Sequence, residues 1–213
     1  MKRHFAWLFL LFLVPAVTLA AEPEFNEGID YQLLSRAQPV ASDGTVEVVE
    51  LFWYGCPHCY HFEPHLQGWL KKKPSKVNFV RVPAIFNSPE WHLHATAFYT
   101  AEVLGKGEKM HGPLFHAIQE QKRPLRTREQ VMAFFAEQGV NNDDFNNTFD
   151  SFAVQTKVQR AADLTKKYEV SGVPTVIVNG KYRVDGPMAT SYERLIKIVD
   201  FLAREEIKVA KKQ

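Results

Sequence analysis

One stretch, residues 46–64, constrains this chain more than any other. It reads Val-Glu-Val-Val-Glu-Leu-Phe-Trp-Tyr-Gly-Cys-Pro-His-Cys-Tyr-His-Phe-Glu-Pro. Its first half is β-branched and aromatic, the composition of a strand buried in the middle of a sheet. Gly55 turns the chain, and Cys56 and Cys59 follow at CxxC spacing. Pro57 suits the first position of a helix, where its missing N–H would have no partner anyway. Cys56 therefore falls at or near the helix N-cap, beside unpaired N–H groups and the positive end of the dipole. A thiolate is stabilised there, and a stabilised thiolate makes a cysteine reactive.

Cys56 and Cys59 are the only two cysteines of the chain. A strand feeding a helix that opens on CxxC points to thiol–disulfide redox chemistry. A structural staple is the bland alternative, but so short a loop restricts the unfolded chain little. Zinc needs two further ligands, for which His61 and His65 are candidates. A helix starting at Cys56 turns His61 about 140° away from it, at ~100° per residue. Covalent haem attachment needs a histidine directly after the second cysteine, where Tyr60 stands.

Residues 1–20 read as a secretory signal: basic Lys2, Arg3 and His4, an apolar run from Phe5 to Val17, and a small-residue cleavage site at Thr18-Leu19-Ala20. The apolar run is short for a membrane span. Lys2 and Arg3 account for the whole formal net charge of +2. The rest of the chain is balanced and carries no basic excess to attract nucleic acid. An exported chain with one CxxC works in an oxidising compartment, where the pair persists as a disulfide.

Beyond the CxxC helix, expected over 56–72 with a kink at Pro64, residues 77–82 alternate as a second strand. From Ser88 the pattern turns helical for about eighty residues. Thr127 with Gln130 forms a capping box, and Asn142 is placed to cap the next short helix. His92, His94, His111 and His116 are scattered through this region and read as surface or core residues. Strand character returns at Val173. Pro174 opens Thr-Val-Ile-Val, Asn179-Gly180 signals a type I′ hairpin, and residues 181–184 are the partner strand. A last helix is expected from a Thr190/Glu193 capping box. The order β, α, β, several helices, β, β, α fits a split α/β unit with an all-α insertion.

Together these residues resemble the DsbA family of exported thiol-disulfide oxidoreductases. The matching pieces are Cys56-Pro57-His58-Cys59-Tyr60, Glu50 upstream, Ser171-Gly172-Val173-Pro174 and Asn179-Gly180-Lys181-Tyr182. The resemblance implies an α/β, thioredoxin-like fold with an inserted all-α helical domain. Its parts would be a signal peptide at 1–20, thioredoxin-like segments at 21–87 and 166–213, and the insertion at 88–165. It implies that Cys56 is the exposed, substrate-facing cysteine and Cys59 its buried partner. Pro174 would be a cis-proline facing the pair, with Val173 presenting backbone groups to an extended substrate. Glu50 would be a buried acid beneath the pair, and His58, next to Pro57, would add a donor and a charge near Cys56. The function implied is donation of the Cys56–Cys59 disulfide to reduced, newly exported proteins, as a monomer in the periplasm. No soluble cofactor or metal is implied, and reoxidation would fall to a DsbB-like, quinone-linked membrane protein. An isomerase or reductase of the same fold is one alternative, although only a short lead-in precedes the first strand. A thiol-based metal chaperone and a chaperone-like peptide binder are the others.

Overall fold

The computed structural model describes residues 25–40 and 44–210. The expected signal sequence lies outside them. The sheet has five strands in the order β1-β5-β4-β2-β3. Strand β2 (Val46–Phe52) is interior, flanked by β4 and the edge strand β3, as its apolar run requires. It pairs in parallel with β3 (Val77–Pro83) and antiparallel with β4 (Thr175–Val178). The Asn179-Gly180 turn, with both residues at positive φ, leads into β5 (Tyr182–Asp185). The two-residue β1 (Gln32–Leu33) closes that edge.

One face of the sheet carries Val46, Val48, Val176, Val178 and Val184. Helix α1 (Pro57–Leu70) covers it with Phe62, Leu66 and Trp69. The long C-terminal helix α8 (Tyr192–Ala210) adds Leu195, Ile198, Val199 and Leu202. Trp69 Nε1 donates to Asp200 of α8 at 2.9 Å, fastening the two helices. Val49 and Leu51 on the other face, with Phe52 and Tyr54 at the C-terminal end of the strand, join the core of the helices inserted between β3 and β4. These are α2 (Pro89–Val103), α3 (Gly107–Gln119), α4 (Arg128–Glu137), α5 (Asn142–Phe149) and α6 (Phe152–Lys167).

Several boundaries differ from the sequence reading. The CxxC helix ends at Leu70 rather than 72 and contains Pro64 without interruption. Asn141, not Asn142, caps α5, because its side chain accepts from the Asp144 N–H at 2.8 Å. Ser191, not Thr190, caps α8: its hydroxyl accepts from the Arg194 N–H, while Thr190 sits at φ 62° and ends the unforeseen one-turn helix α7 (Gly186–Ala189). The Thr127 box forms, with Thr127 Oγ1 accepting from the Gln130 N–H and the Gln130 amide reaching back to the Arg126 N–H.

Candidate active site

Cys56 is the N-cap of α1, in extended conformation, with Pro57 at the helix start. Its side chain is not aligned for a capping hydrogen bond, yet the backbone N–H groups of His58 and Cys59 are close enough to act on the sulfur. Gly55 is required by space rather than by dihedral angle, since a Cβ there would lie 2.3 Å from the Trp53 ring. Cys59 follows one turn later and is fully buried, while Cys56 retains 8% of its surface. The expected exposed cysteine is thus only marginally open. The loop bearing Val173 covers it, and as a thiol Cys56 donates to the Val173 carbonyl at 3.4 Å. The Val173–Pro174 peptide bond is cis.

The two sulfurs are driven in opposite directions. The Cys56 thiol is lowered to about 6, chiefly by the hydrogen bond from Cys59. Burial opposes this, and the backbone N–H groups of Cys59 and His58 reinforce it; the His58 charge is the last contributor. Cys59 is pushed up by burial first, then by its contact with Cys56 and by the charge of Glu50. His58 does not turn its Nδ1 to the sulfur: that nitrogen lies 3.1 Å from the Tyr192 hydroxyl at the start of α8. His58, Val173, Pro174 and Tyr192 line one groove of about 790 Å³, together with Gly186 and Pro187.

Beneath the pair lies a charged cluster. Glu50 is fully buried on the same face of β2 as Val46 and Val48, opposite Arg81 in the parallel register. Arg81 Nε approaches Glu50 Oε2 to 3.3 Å but is misaligned for a hydrogen bond, so neither carboxylate oxygen has an aligned donor among the described residues. Burial, and next the nearby charge of Glu63, raise the Glu50 carboxyl to about 8 against the pull of Arg81. Glu63, one turn past Cys59 on α1, is saturated with donors instead. It accepts from His111 Nε2 at 2.9 Å, from Arg81 Nη2 at 3.3 Å and from Gln67 at 3.2 Å. Burial would raise Glu63, but the hydrogen bond from His111, the charge that ring carries when protonated, the Arg81 charge and the Gln67 amide bring it below the ordinary carboxylate range.

Sequence reasoning named Glu50 but missed Glu63, Arg81, His111 and Tyr192. Glu63 had a signal, the i,i+4 spacing from Cys59, and Arg81 had one as a cation inside an apolar strand. His111 and Tyr192 had none, because each reaches the site from an element far away in sequence.

Comparison with known proteins follows the same lines. Residues 47–200 match the family of DSBA-like thioredoxin domains. The thiol:disulfide interchange protein DsbA of Pseudomonas syringae pv. tomato is 50% identical over 192 residues, covering 90% of this chain and 89% of that protein. The crystal structure of Pseudomonas aeruginosa DsbA superposes with a TM-score of 0.82 at 42% identity, covering 89% of this chain and 97% of that one. Reduced DsbA1 of Neisseria meningitidis, at 26% identity, superposes with a TM-score of 0.77 over 89% and 98% of the two chains. With a thioredoxin-like sheet, an inserted helical region and a CxxC at the head of α1, the chain belongs to the DsbA family of thiol-disulfide oxidoreductases.

Proposed function

We propose that the protein donates its Cys56–Cys59 disulfide to reduced proteins newly exported to the periplasm. The observation that carries this direction is the opposite displacement of the two thiols. A substrate thiolate attacks the Cys56 sulfur, the Cys56–Cys59 bond breaks, and Cys59 leaves with the electron pair. The product is a mixed disulfide between Cys56 and the substrate. A second substrate thiolate attacks its own sulfur in that bond and expels Cys56 as a thiolate. The substrate loses two electrons and two protons. The enzyme takes both electrons and one proton, on Cys59, and the other proton goes to solvent. A Cys56 thiolate that leaves easily favours the reduced enzyme, which is what makes an oxidant.

In this reading Glu50 supplies the proton to the buried Cys59 thiolate, which cannot persist unprotonated without solvent. Pro57 starts the helix that stabilises Cys56. His58 adds its charge at the rim, and Val173 and Pro174 seat an extended substrate segment in the groove. The segments 21–87 and 166–213 act as the redox body and 88–165 as its insertion, although α6 continues to Lys167. The only electron carrier needed is the cysteine pair, with a DsbB-like membrane protein as reoxidant and a monomer as the working form. The alternatives of isomerase, reductase, metal chaperone and peptide binder have no specific geometric feature in their favour.

Equilibration with glutathione buffers, followed by alkylation and mass analysis, tests the direction. The pair should stay reduced in buffers that leave ordinary structural disulfides oxidised. A pair that remains a disulfide there would make the protein a reductase.

A further inference from the structure

His111 comes from the inserted helices, on α3, yet its imidazole ends among the charged groups beneath the cysteines. It is nearly fully buried, and the rings of Phe52, Phe98 and Phe115 hold it by edge contacts at centroid distances of 5.1, 6.2 and 5.1 Å. Both ring nitrogens are engaged. Nδ1 lies 3.0 Å from the Tyr54 hydroxyl, and Nε2 lies 2.9 Å from Glu63 Oε1.

The partners fix the direction of these bonds. The Tyr54 phenol is fully buried and stays protonated, because burial raises it far above its ordinary value. Its proton goes to Nδ1. Nε2 then carries the hydrogen and donates to Glu63. Burial also lowers His111, so the ring that makes these bonds is neutral. The charged and titratable groups facing it are Glu63 from α1, Tyr54 just past β2, Arg81 from β3 and Glu108 from its own helix, with Glu50 of β2 on the far side of Arg81. Glu108 of α3 reaches Arg81 from the solvent side at 3.7 Å, and Glu102 of α2 adds a charge near Tyr54.

The cluster thus holds one fully buried acid, Glu50, one largely buried acid, Glu63, whose side chain is 14% exposed, and one guanidinium. Two such carboxylates beside a single cation leave one charge poorly compensated, so one acid keeps a proton. Which acid keeps it depends on the donors each receives. Glu63 receives three, and Glu50 none that is aligned.

We infer that His111 is a positioning residue for the exchange: its Nε2–H fixes Glu63 as the ionised acid and so leaves the transferable proton on Glu50, beneath Cys59. The inference builds on the proton-donor role proposed above for Glu50. When Cys59 leaves as a thiolate, Glu50 gives it that proton, becomes for a moment a carboxylate beside Arg81, and regains a proton from one of the two the substrate releases, so the reduced protein again holds a protonated Glu50 below about 8. His111 forms no bond to sulfur and transfers no electron. The inserted domain, through this residue, sets where the proton waits.

Two substitutions separate this role from packing. An asparagine at 111 places an acceptor near the Nδ1 position, for Tyr54, but falls short of Glu63. A glutamine can reach Glu63 with an N–H and gives up the Tyr54 contact. The carboxylic-acid carbonyl band of the reduced protein, followed by infrared spectroscopy across pH, is assigned to Glu50 by its loss in Glu50→Gln. The wild-type band should titrate near 8. In His111→Asn the midpoint should fall by about one unit, a tenfold change in proton occupancy, and His111→Gln should restore it. Mixed-disulfide formation with a reduced peptide should slow about threefold in His111→Asn slightly above neutral pH and not in mild acid, as that shift implies. In a Glu63→Gln background, His111→Asn should add no further shift.

Equal midpoints in all three proteins, or equal shifts in Asn and Gln, would overturn the inference while leaving Glu50 as the donor. A wild-type protein without a Glu50 band would remove the donor role and the inference together. Nitrogen-15 spectra of the unsubstituted protein give an independent check. They should show His111 neutral with the hydrogen on Nε2, and a neutral ring with its hydrogen on Nδ1 would overturn the assignment.

Discussion

Above Cys56 the protein presents an open groove, a loop carbonyl and an imidazole tied to a tyrosine. Below Cys59 it presents a largely buried cluster of two acids, an arginine and a histidine. The rim is built from α1, the Val173 loop and the start of α8, all within the thioredoxin-like part. The floor takes its groups from β2, β3, α1 and the inserted α3. At the rim solvent screens charge, and the His58 charge is the last contributor to the Cys56 shift. On the floor burial is the largest influence on Cys59, Glu50 and His111 alike. The difference teaches that a redox pair can be tuned from two sides with unequal leverage. Hydrogen bonds act on the exposed sulfur, and desolvation acts on the hidden one.

The largest way to break the comparison is to remove a sulfur. Cys56→Ser should abolish oxidation of a reduced protein substrate, whereas Cys59→Ser should still attack through Cys56 and accumulate mixed disulfides, seen as added mass. Alkylation of the reduced wild type should label Cys56 first. Prior labelling of Cys59 would invert rim and floor.

Next comes Glu50→Gln. The folded-state carboxyl is raised to about 8 from 4.5, so the folded protein holds a proton that the unfolded chain releases. Its contribution to stability is full below 4.5 and is lost as pH rises through 8. Glutamine removes that loss and should stabilise the protein by about 2–4 kcal/mol in mild alkali, fading to nothing in acid. Urea melts across pH measure it. A constant difference would mean that Glu50 does not titrate in this range.

A smaller effect distinguishes the redox forms. Cys56 is lowered to about 6, below the unfolded value, so its stabilisation is full above the unfolded value and is lost as pH falls through 6. Discounted for partial solvent screening, it amounts to ~2 kcal/mol. The disulfide removes that thiolate and closes only a short loop. The reduced form should therefore melt later than the oxidised form at neutral pH and lose its lead in acid. A more stable oxidised form at neutral pH would point to a reductase.

The smallest effects belong at the rim. His58→Ser should raise the Cys56 titration, and Tyr192→Phe, which frees the imidazole, should move it by less than about half a unit, or roughly threefold in thiolate ratio. Ultraviolet thiolate absorbance reads both. A shift of more than about one unit in His58→Ser would give the rim the leverage assigned here to the Cys59 thiol and the helix amides.

Much of this was legible in the chain. β2, the CxxC turn and the Asn179-Gly180 hairpin announce themselves because their signals are local: β-branched runs, a proline after the cap, a dipeptide that tolerates positive φ. Caps slipped by one residue at Asn141 and Ser191 because adjacent Asn, Ser and Thr offer equivalent oxygens, and only the backbone path decides among them. The floor was half visible. Glu50 stood out in an apolar strand, but His111 and Tyr192 look ordinary in sequence and become part of the site only through tertiary contact.

The strand order carries one more consequence, for the time before the fold is complete. β2 has one neighbour close in sequence, β3, and another, β4, beyond the whole helical insertion. The carbonyl that covers Cys56 lies 117 residues after it. Closing so long a loop is entropically slow relative to forming a local β–α–β unit. A chain that acquires β2, α1 and β3 first thus has both sulfurs at a helix N-terminus before any wall stands over them. During that interval the cysteine pair is as open to other thiols as it will ever be, and arrival of the C-terminal third ends that openness.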